Sequence, residues 1–515
     1  GCLRRLRGMY AFALYETGTR TLTLVRDPLG VKPLYYIHEP NRLVFASEIK
    51  ALTAMPGFKP AINNQSLYHY LTFANAPAPD TFFEGVSKLE AGTYLTLDRQ
   101  GRMRTQRYWN PVSFQPGSTS LSEHDYVDEL RRLLRQSVRR RMVSDVPFGV
   151  FLSGGVDSSL NVALMAELLD RPVETFSIGI KDDPSNEFSY ARQVADHFHT
   201  NHHEAVISDD DFIRFLPQMA YLQDEPVADP VCVPIYYISK LARESGTPVI
   251  QVGEGSDEIF AGYQTYHLFD GWNHRYYEPY LHIPGLFRRS VSAIGKHLVS
   301  AEKHDALRRA ALGDPLFLGN AIAFWDNEKS SLLKQAFLPS QTSSQYIREL
   351  GLSLGLDDSL LRIIHVELKN RLPELLLMRV DKMSMANSIE TRVPFLDEDV
   401  VAFALTIPSA LKFKLGQPKY ILKQAARGII PDSIIDRKKW GFCGSATNML
   451  SPRLAEYARP RILDSPLIAE RFNRNAIEGI FVSYREQKRF NSFKIWNLLN
   501  LVLWYERCFT TSSHR

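Results

Sequence analysis

Phe148-Gly149-Val150-Phe151-Leu152-Ser153-Gly154-Gly155-Val156-Asp157-Ser158-Ser159 constrains this 515-residue chain more than any other stretch. An apolar run ends in Ser-Gly-Gly and gives way to a helical pattern. It reads as a strand, a glycine turn and a helix N-terminus. Backbone N–H groups at such a turn point outward, and the helix dipole adds partial positive charge, so the place suits phosphate. Asp157 stands where a phosphate-bound Mg²⁺ needs an oxygen ligand. An ordinary strand–helix corner explains the glycines alone, but not the polar run Ser153–Ser159.

A chain of this length divides into two or three domains. Its 44% hydrophobic and 23% charged residues are those of a soluble globular protein. The net charge of +4 is too mild to imply nucleic acid. Arg131, Arg132, Arg135, Arg139, Arg140 and Arg141 form a local basic stripe, read as a solvated helix face. Cys2, Cys232, Cys443 and Cys508 lie far apart with no zinc spacing, which suits structural thiols in a reducing cytoplasm. No apolar run is long enough to span a bilayer, so no membrane partner is expected. The first residues are too charged and too short for a signal peptide. They run straight into a strand-like stretch, as a fragment would.

Residues 9 to about 110 read as strands joined by turns: Met9–Tyr15, Thr21–Val25, Leu34–Ile37, Leu43–Ala46 and Gly92–Leu97. Ser47–Leu52 starts like a capped helical turn. Val112–Ser122, rich in Ser, Pro and Gly, is the linker. Glu123–Val143 then has helical periodicity, with Leu130, Leu133, Leu134 and Val138 on one face. A helix from Ser158 to Leu169, strand Val173–Ile178, helix Tyr190–His199, strand Glu204–Ile207, helices over 210–223 and 234–245, and strand Pro248–Val252 follow. This alternation predicts a doubly wound parallel sheet with helices on both faces. Its ligand site belongs at the carboxyl ends of the strands, where both glycine turns fall. Residues 265 to 500 are mostly helical, and 510–515 form a frayed tail.

Three further motifs carry chemistry. Gly253-Glu254-Gly255-Ser256-Asp257-Glu258 sets three carboxylates between glycines, an arrangement that needs cations or a metal if buried. Asp257 is placed to join Asp157 in holding Mg²⁺, and Glu254 to take a proton from an attacking amine. An acidic helix cap is the plainer reading of that motif. Leu377–Asp397 looks like a packed helix, with Arg379, Asp381, Lys382, Glu390 and Arg392 divided between a structural ion network and substrate contact. Gly416-Gln417-Pro418-Lys419 delivers Lys419 at the start of a helix, suited to neutralise a leaving pyrophosphate. Arg437–Phe442 is a basic loop, either a cover over phosphates or a solvated turn.

In this order the motifs resemble the glutamine-dependent asparagine synthetase family over nearly the whole chain. Leu6–Tyr15, Arg26–Tyr36 and Phe45–Lys50 resemble the second half of its N-terminal glutaminase domain. Ser153–Ser159, Gly253–Tyr263, Asp381–Asp397 and Lys419 resemble its synthetase domain. The resemblance implies an α/β protein: half of a class II glutamine amidotransferase sandwich over 1–111, linker 112–122, and an ATP-pyrophosphatase-type synthetase domain over 123–509. It implies MgATP and aspartate as ligands, adenylation of the side-chain carboxylate, and displacement of AMP by ammonia that glutamine supplies. Nucleotide contacts are then expected at Leu152, Ser153, Gly154, Gly155, Asp157, Ser158, Ser159, Ser177, Ile178, Val252, Gly253 and Asp257. Asp157 and Asp257 match the metal-holding acids. Glu254 matches the general base, and Lys419 the pyrophosphate lysine. A homodimer is the oligomer considered.

The family's N-terminal Cys nucleophile and glutamine-gripping motifs do not precede Leu6-Arg7-Gly8-Met9, and Cys2 lacks a partner base. Glutamine hydrolysis is therefore not expected of the chain as given, and residues 1–110 should leave strand edges exposed. The rival readings are an amidoligase for another carboxylate, an RNA-modifying enzyme using the arginine stripe, and a non-catalytic scaffold.

Overall fold

Alternating apolar residues in Thr21-Leu22-Thr23-Leu24-Val25 and Thr93-Tyr94-Leu95-Thr96-Leu97 set up the first sheets. In the computed structural model, which describes residues 2–40, 42–114, 121–296, 298–437, 450–484 and 488–510, the strands are β1 (Ala11–Glu16), β2 (Thr21–Arg26), β3 (Tyr35–Glu39), β4 (Arg42–Ala46), β5 (Ser87–Lys88), β6 (Thr93–Leu97) and β7 (Met103–Arg107). They pair antiparallel as β1-β2-β6-β7 and β4-β3-β5. Leu24, Leu34, Leu89 and Leu95 close a small core between them. β1 is an edge strand, with Leu14 and Tyr15 58% and 57% exposed.

The reading of 9–110 as strands and turns missed the helix Asn64–Phe73. Asn63 caps it by accepting from the N–H of Gln65 and Ser66. Ser66 to Phe73 are all buried, so no polar face marks the helix in the sequence. The turn expected at Ser47–Leu52 is the helix Ile49–Thr53, capped by the Asp224 carboxylate rather than locally.

This N-terminal region is bolted to the rest by buried ion pairs. Arg26 meets Glu374 at 3.3 Å, and Lys88 meets Glu225 at 2.5 Å and Glu374 at 3.1 Å. Lys32 reaches Asp381 at 2.6 Å. One continuous core runs from Leu29 to Trp504.

Ser122 and Asp125 form a capping box for the helix Glu123–Arg141, whose Leu130, Leu133, Leu134 and Val138 are buried as expected. The solvated-stripe reading is corrected for three arginines. Arg131 donates to the carbonyls of Gln424, Ala425 and Arg427. Arg140 pairs with Asp397 and Asp399, and Arg141 is buried beside Asp397.

The second sheet comprises β8 (Phe148–Phe151), β9 (Glu174–Ile180), β10 (Asn201–Ile207), β11 (Val249–Gln251) and β12 (Glu390–Arg392). All neighbours run parallel, in the order β10-β9-β8-β11-β12. Crossovers wind outward on one side from β8 through β9 to β10, then return to β11 on the other. The direction of winding reverses between β8 and β11, which makes their carboxyl ends the switch point of a doubly wound sheet. Strand β12 corrects the reading of Leu377–Asp397 as helix throughout. The helix runs Leu377–Met385, Ser388 takes φ +56°, and polar Glu390-Thr391-Arg392 pairs with β11.

Candidate functional site

Two loops meet at the switch point. The first follows β8. Gly154 has φ +67°, and a Cβ there would lie 2.5 Å from the carbonyl carbon of Tyr190, so only glycine lets the helix Phe188–His197 pack against the turn. The helix Val156–Glu167 then begins at Gly155 with no side-chain cap on its first turn, leaving that end open to an anion. The second loop follows β11. Gly255 has φ +87° beside Leu396, and the short helix Ser256–Ile259 carries Asp257. The loops touch: a Cβ on Gly253 would lie 3.0 Å from that of Asp157. Ser256 donates to Asp157 at 2.9 Å.

A third element brings the charge. The hairpin β13 (Phe413–Lys414) and β14 (Gln417–Pro418) delivers Lys419 in a left-handed conformation, φ +55°, to cap the helix Tyr420–Ala426. Its ammonium lies 2.6 Å from Asp157 and 2.8 Å from Asp257. Burial alone would push the Lys419 ammonium down, but the two carboxylates outweigh it and raise it.

These residues line a cleft of about 680 Å³. Ser153, Gly155, Asp157, Ser158, Val252, Gly253, Glu254, Asp257 and Lys419 all face it. Leu152, Ser177 and Ile178 lie beside it, around a void of about 10 Å³ that shares Ser153. The Ser177 hydroxyl is taken by the carbonyl of Leu152. Gly154 faces the neighbouring helix, and the Ser159 hydroxyl is fully buried, outside the cleft.

Among the described residues no group of three or more His, Cys, Asp or Glu is arranged to hold a metal. Two adjacent carboxylates beside a glycine turn and an uncapped helix N-terminus still fit Mg²⁺, which takes one or two carboxylates and completes its shell with other oxygen ligands.

Sequence reasoning singled out Arg379 but missed Asp229 and Arg371 in the same wall. Arg379 joins Glu254 at 3.0 Å and also Asp229, so the candidate base is held by a guanidinium. Burial would lower that guanidinium, and Asp229 and Glu254 raise it. Asp229 sits in Asp224-Glu225-Pro226-Val227-Ala228-Asp229-Pro230, a proline-bounded acidic turn that was the available signal. Arg371 meets Glu258 at 3.3 Å and Glu367 at 3.1 Å, and Tyr263 donates to Glu258 at 2.7 Å. Burial pushes the Glu258 carboxyl up to about 7, against Arg371. Of the remaining charged residues in 377–397, Asp381 and Lys382 pair with Lys32 and Asp224, and Arg392 with Glu390, all of them structural contacts. At the rim Arg437 pairs with Glu187 at 2.5 Å and stacks on Tyr190. The rest of the expected loop, 438–442, lies outside the described residues. Cys2 is exposed in the turn Cys2–Arg4, and no helix among the described residues is long and apolar enough to cross a membrane.

Comparison with known proteins agrees with this geometry. The family model for asparagine synthase matches residues 129–506, and that for a glutamine amidotransferase domain matches 1–109. Asparagine synthetase [glutamine-hydrolyzing] 1 of Bacillus subtilis is 32% identical over 97% of this chain and 78% of its own length. A putative asparagine synthetase [glutamine-hydrolyzing] of Mycobacterium tuberculosis is 32% identical over 98% of this chain and 77% of its own. Amidase chry2 of Gibberella zeae is 25% identical over 86% and 70%. With two acidic loops meeting at the switch point and both family models matched, this chain belongs to the asparagine synthase family.

Proposed function

We propose that the chain amidates L-aspartate to L-asparagine at the expense of ATP, through a β-aspartyl-AMP intermediate, with ammonia as the attacking nitrogen. The observation that carries this reading is the meeting of Asp157 and Asp257 on one ammonium at the switch point.

A carboxylate does not react with ammonia at a useful rate, because its leaving group would be oxide. Attack of the aspartate side chain on the α-phosphate of ATP expels pyrophosphate and makes AMP the leaving group. Ammonia then adds to the acyl carbon, AMP departs, and one proton must leave the nitrogen. The turn at Ser153–Gly155 and the open first turn of the helix Val156–Glu167 cradle the phosphates. Lys419 neutralises the departing pyrophosphate. Asp157 and Asp257 would hold a Mg²⁺, which would supply charge neutralisation at the triphosphate. Glu254 accepts the nitrogen's proton, and Arg379 fixes its carboxylate in place. Asp229 and Arg379 offer opposite charges to the amino and carboxyl groups of the acceptor. The reaction belongs in the cytoplasm, in keeping with cysteines that lie far apart along the chain.

Aspartate-dependent pyrophosphate release is the test. Asp157→Ala should abolish it; near-normal release would remove Asp157 from the site. An ATP–pyrophosphate exchange assay over a range of carboxylic acids checks the acceptor, and exchange with another acid but not with aspartate would replace aspartate in this reading.

A further inference from the structure

The helix Gly285–Gly295 and the turn after it carry a concentration of exposed apolar side chains, none of which lines the cleft. Leu286, Phe287, Ile294 and Leu298 are 78%, 67%, 62% and 75% exposed, and Val291 44%. Steps of one, three and four residues put Leu286, Phe287, Val291 and Ile294 on one face of the helix. The other side is what anchors it. Ser292 and Gly295 are buried, and a Cβ on Gly295 would lie 2.8 Å from Leu307 of the helix Ala301–Leu312. Arg288 donates to the carbonyl of Ala310 in the same helix. The apolar face is therefore held outward by specific packing. A soluble monomer rarely exposes such a patch without a use for it.

Charge narrows the occupant. From Pro279 to Ala301 the chain has no Asp or Glu, whereas Arg288, Arg289 and Lys296 fall within the helix or at its end. Arg289 and Lys296 are exposed, and neither forms an ion pair among the described residues. A second copy docked face to face would bring these cations against their own images, with no acid on the segment to offset them. A negatively charged bilayer surface satisfies both halves of the pattern. Apolar side chains enter the acyl boundary, and long basic side chains reach the headgroups. This is contact with a surface, not a span.

We infer that the helix Gly285–Gly295 and Leu298 form a docking face for anionic lipid, on which the enzyme sits reversibly with its cleft in solution. Sedimentation of the full chain with vesicles tests this. Vesicles of phosphatidylcholine mixed with phosphatidylglycerol should carry the protein down, and added salt should weaken the binding. Vesicles of phosphatidylcholine alone should leave most of it in solution. Phe287→Ser with Leu298→Ser, and separately Arg289→Glu with Lys296→Glu, should each weaken binding on the order of tenfold. Both variants should keep the thermal midpoint and the vesicle-free activity. Wild-type protein that stays in solution with both vesicle types would overturn the inference. So would equal binding by wild type and both variants. A dimer seen by light scattering that Phe287→Ser dissolves would assign the face to a second copy instead.

Discussion

Gly262 lies so close to Lys419 that a methyl group on its α-carbon would sit 2.2 Å from Lys419 Cε. The same methyl would be 2.0 Å from the Asp257 carboxylate. The glycine is what allows the lysine stem to pass behind the second acidic loop, so the ion cluster depends on a residue that has no charge.

Gly262→Ala should displace Lys419 from the two aspartates. Pyrophosphate release should fall by about a hundredfold or more, in the range seen when one charge-stabilising donor is lost. The far-ultraviolet circular dichroism spectrum should be unchanged. Normal release would show that the lysine's position is not needed.

Arg379→Met should leave Asp229 and Glu254 facing each other without their shared cation. Removing one partner of a buried ion pair costs up to about 3–5 kcal/mol, to be read by chemical denaturation. Arg379→Lys should recover part of the stability. It should not restore the KM for aspartate, because an ammonium lacks the planar fork that holds two carboxylates at once.

Glu254→Gln should separate the two half-reactions. Aspartate-dependent pyrophosphate release should persist while the yield of asparagine per pyrophosphate falls. An unchanged yield would take the proton-accepting role away from Glu254.

Lys412 gives the site a pH signature in stability. Its amine is buried and donates to the carbonyls of Ile259, at 3.1 Å, and Ala404. Ile259 ends the short helix that carries Asp257. Burial lowers the ammonium from 10.5 to about 7. Above that pH the folded chain holds a neutral amine, still with N–H groups for both carbonyls, while the unfolded chain stays protonated. The unfolded state then binds more protons, so stability rises with pH between about 7 and 10. Lys412→Met should cost roughly 1–3 kcal/mol near neutrality through the loss of the donor to the buried Ile259 carbonyl, since the Ala404 carbonyl keeps the N–H of Ile407. The gap between wild type and variant should then widen by up to about 1.4 kcal/mol per pH unit. Parallel stability curves would show that Lys412 is charged when folded.

The sequence disclosed most where local chemistry and topology coincide. Leu152-Ser153-Gly154-Gly155 and Val252-Gly253-Glu254-Gly255 each end an apolar strand in glycine, and parallel-sheet rules bring such ends together. Residues without a local pattern were hidden. Asp229 and Arg371 reach the cleft from segments whose composition resembles many turns and helices. The helix Asn64–Phe73 is buried on all sides, so its period never shows. Strand β12 is three polar residues stabilised by the strand beside it, a case of tertiary context overriding propensity. The arginines of Glu123–Arg141 look solvent-bound because their partners, Asp397 and the carbonyls around Ala425, lie some 260 to 300 residues further along the chain.

A double-mutant cycle on Asp157 and Asp257 tests the shared nucleotide site most directly, with aspartate-dependent pyrophosphate release as the readout. Two carboxylates serving one magnesium nucleotide act as a unit, so Asp157→Asn, Asp257→Asn and the double variant should lose nearly the same amount. Losses that simply add, or a near-normal rate from either single variant, would contradict a shared site.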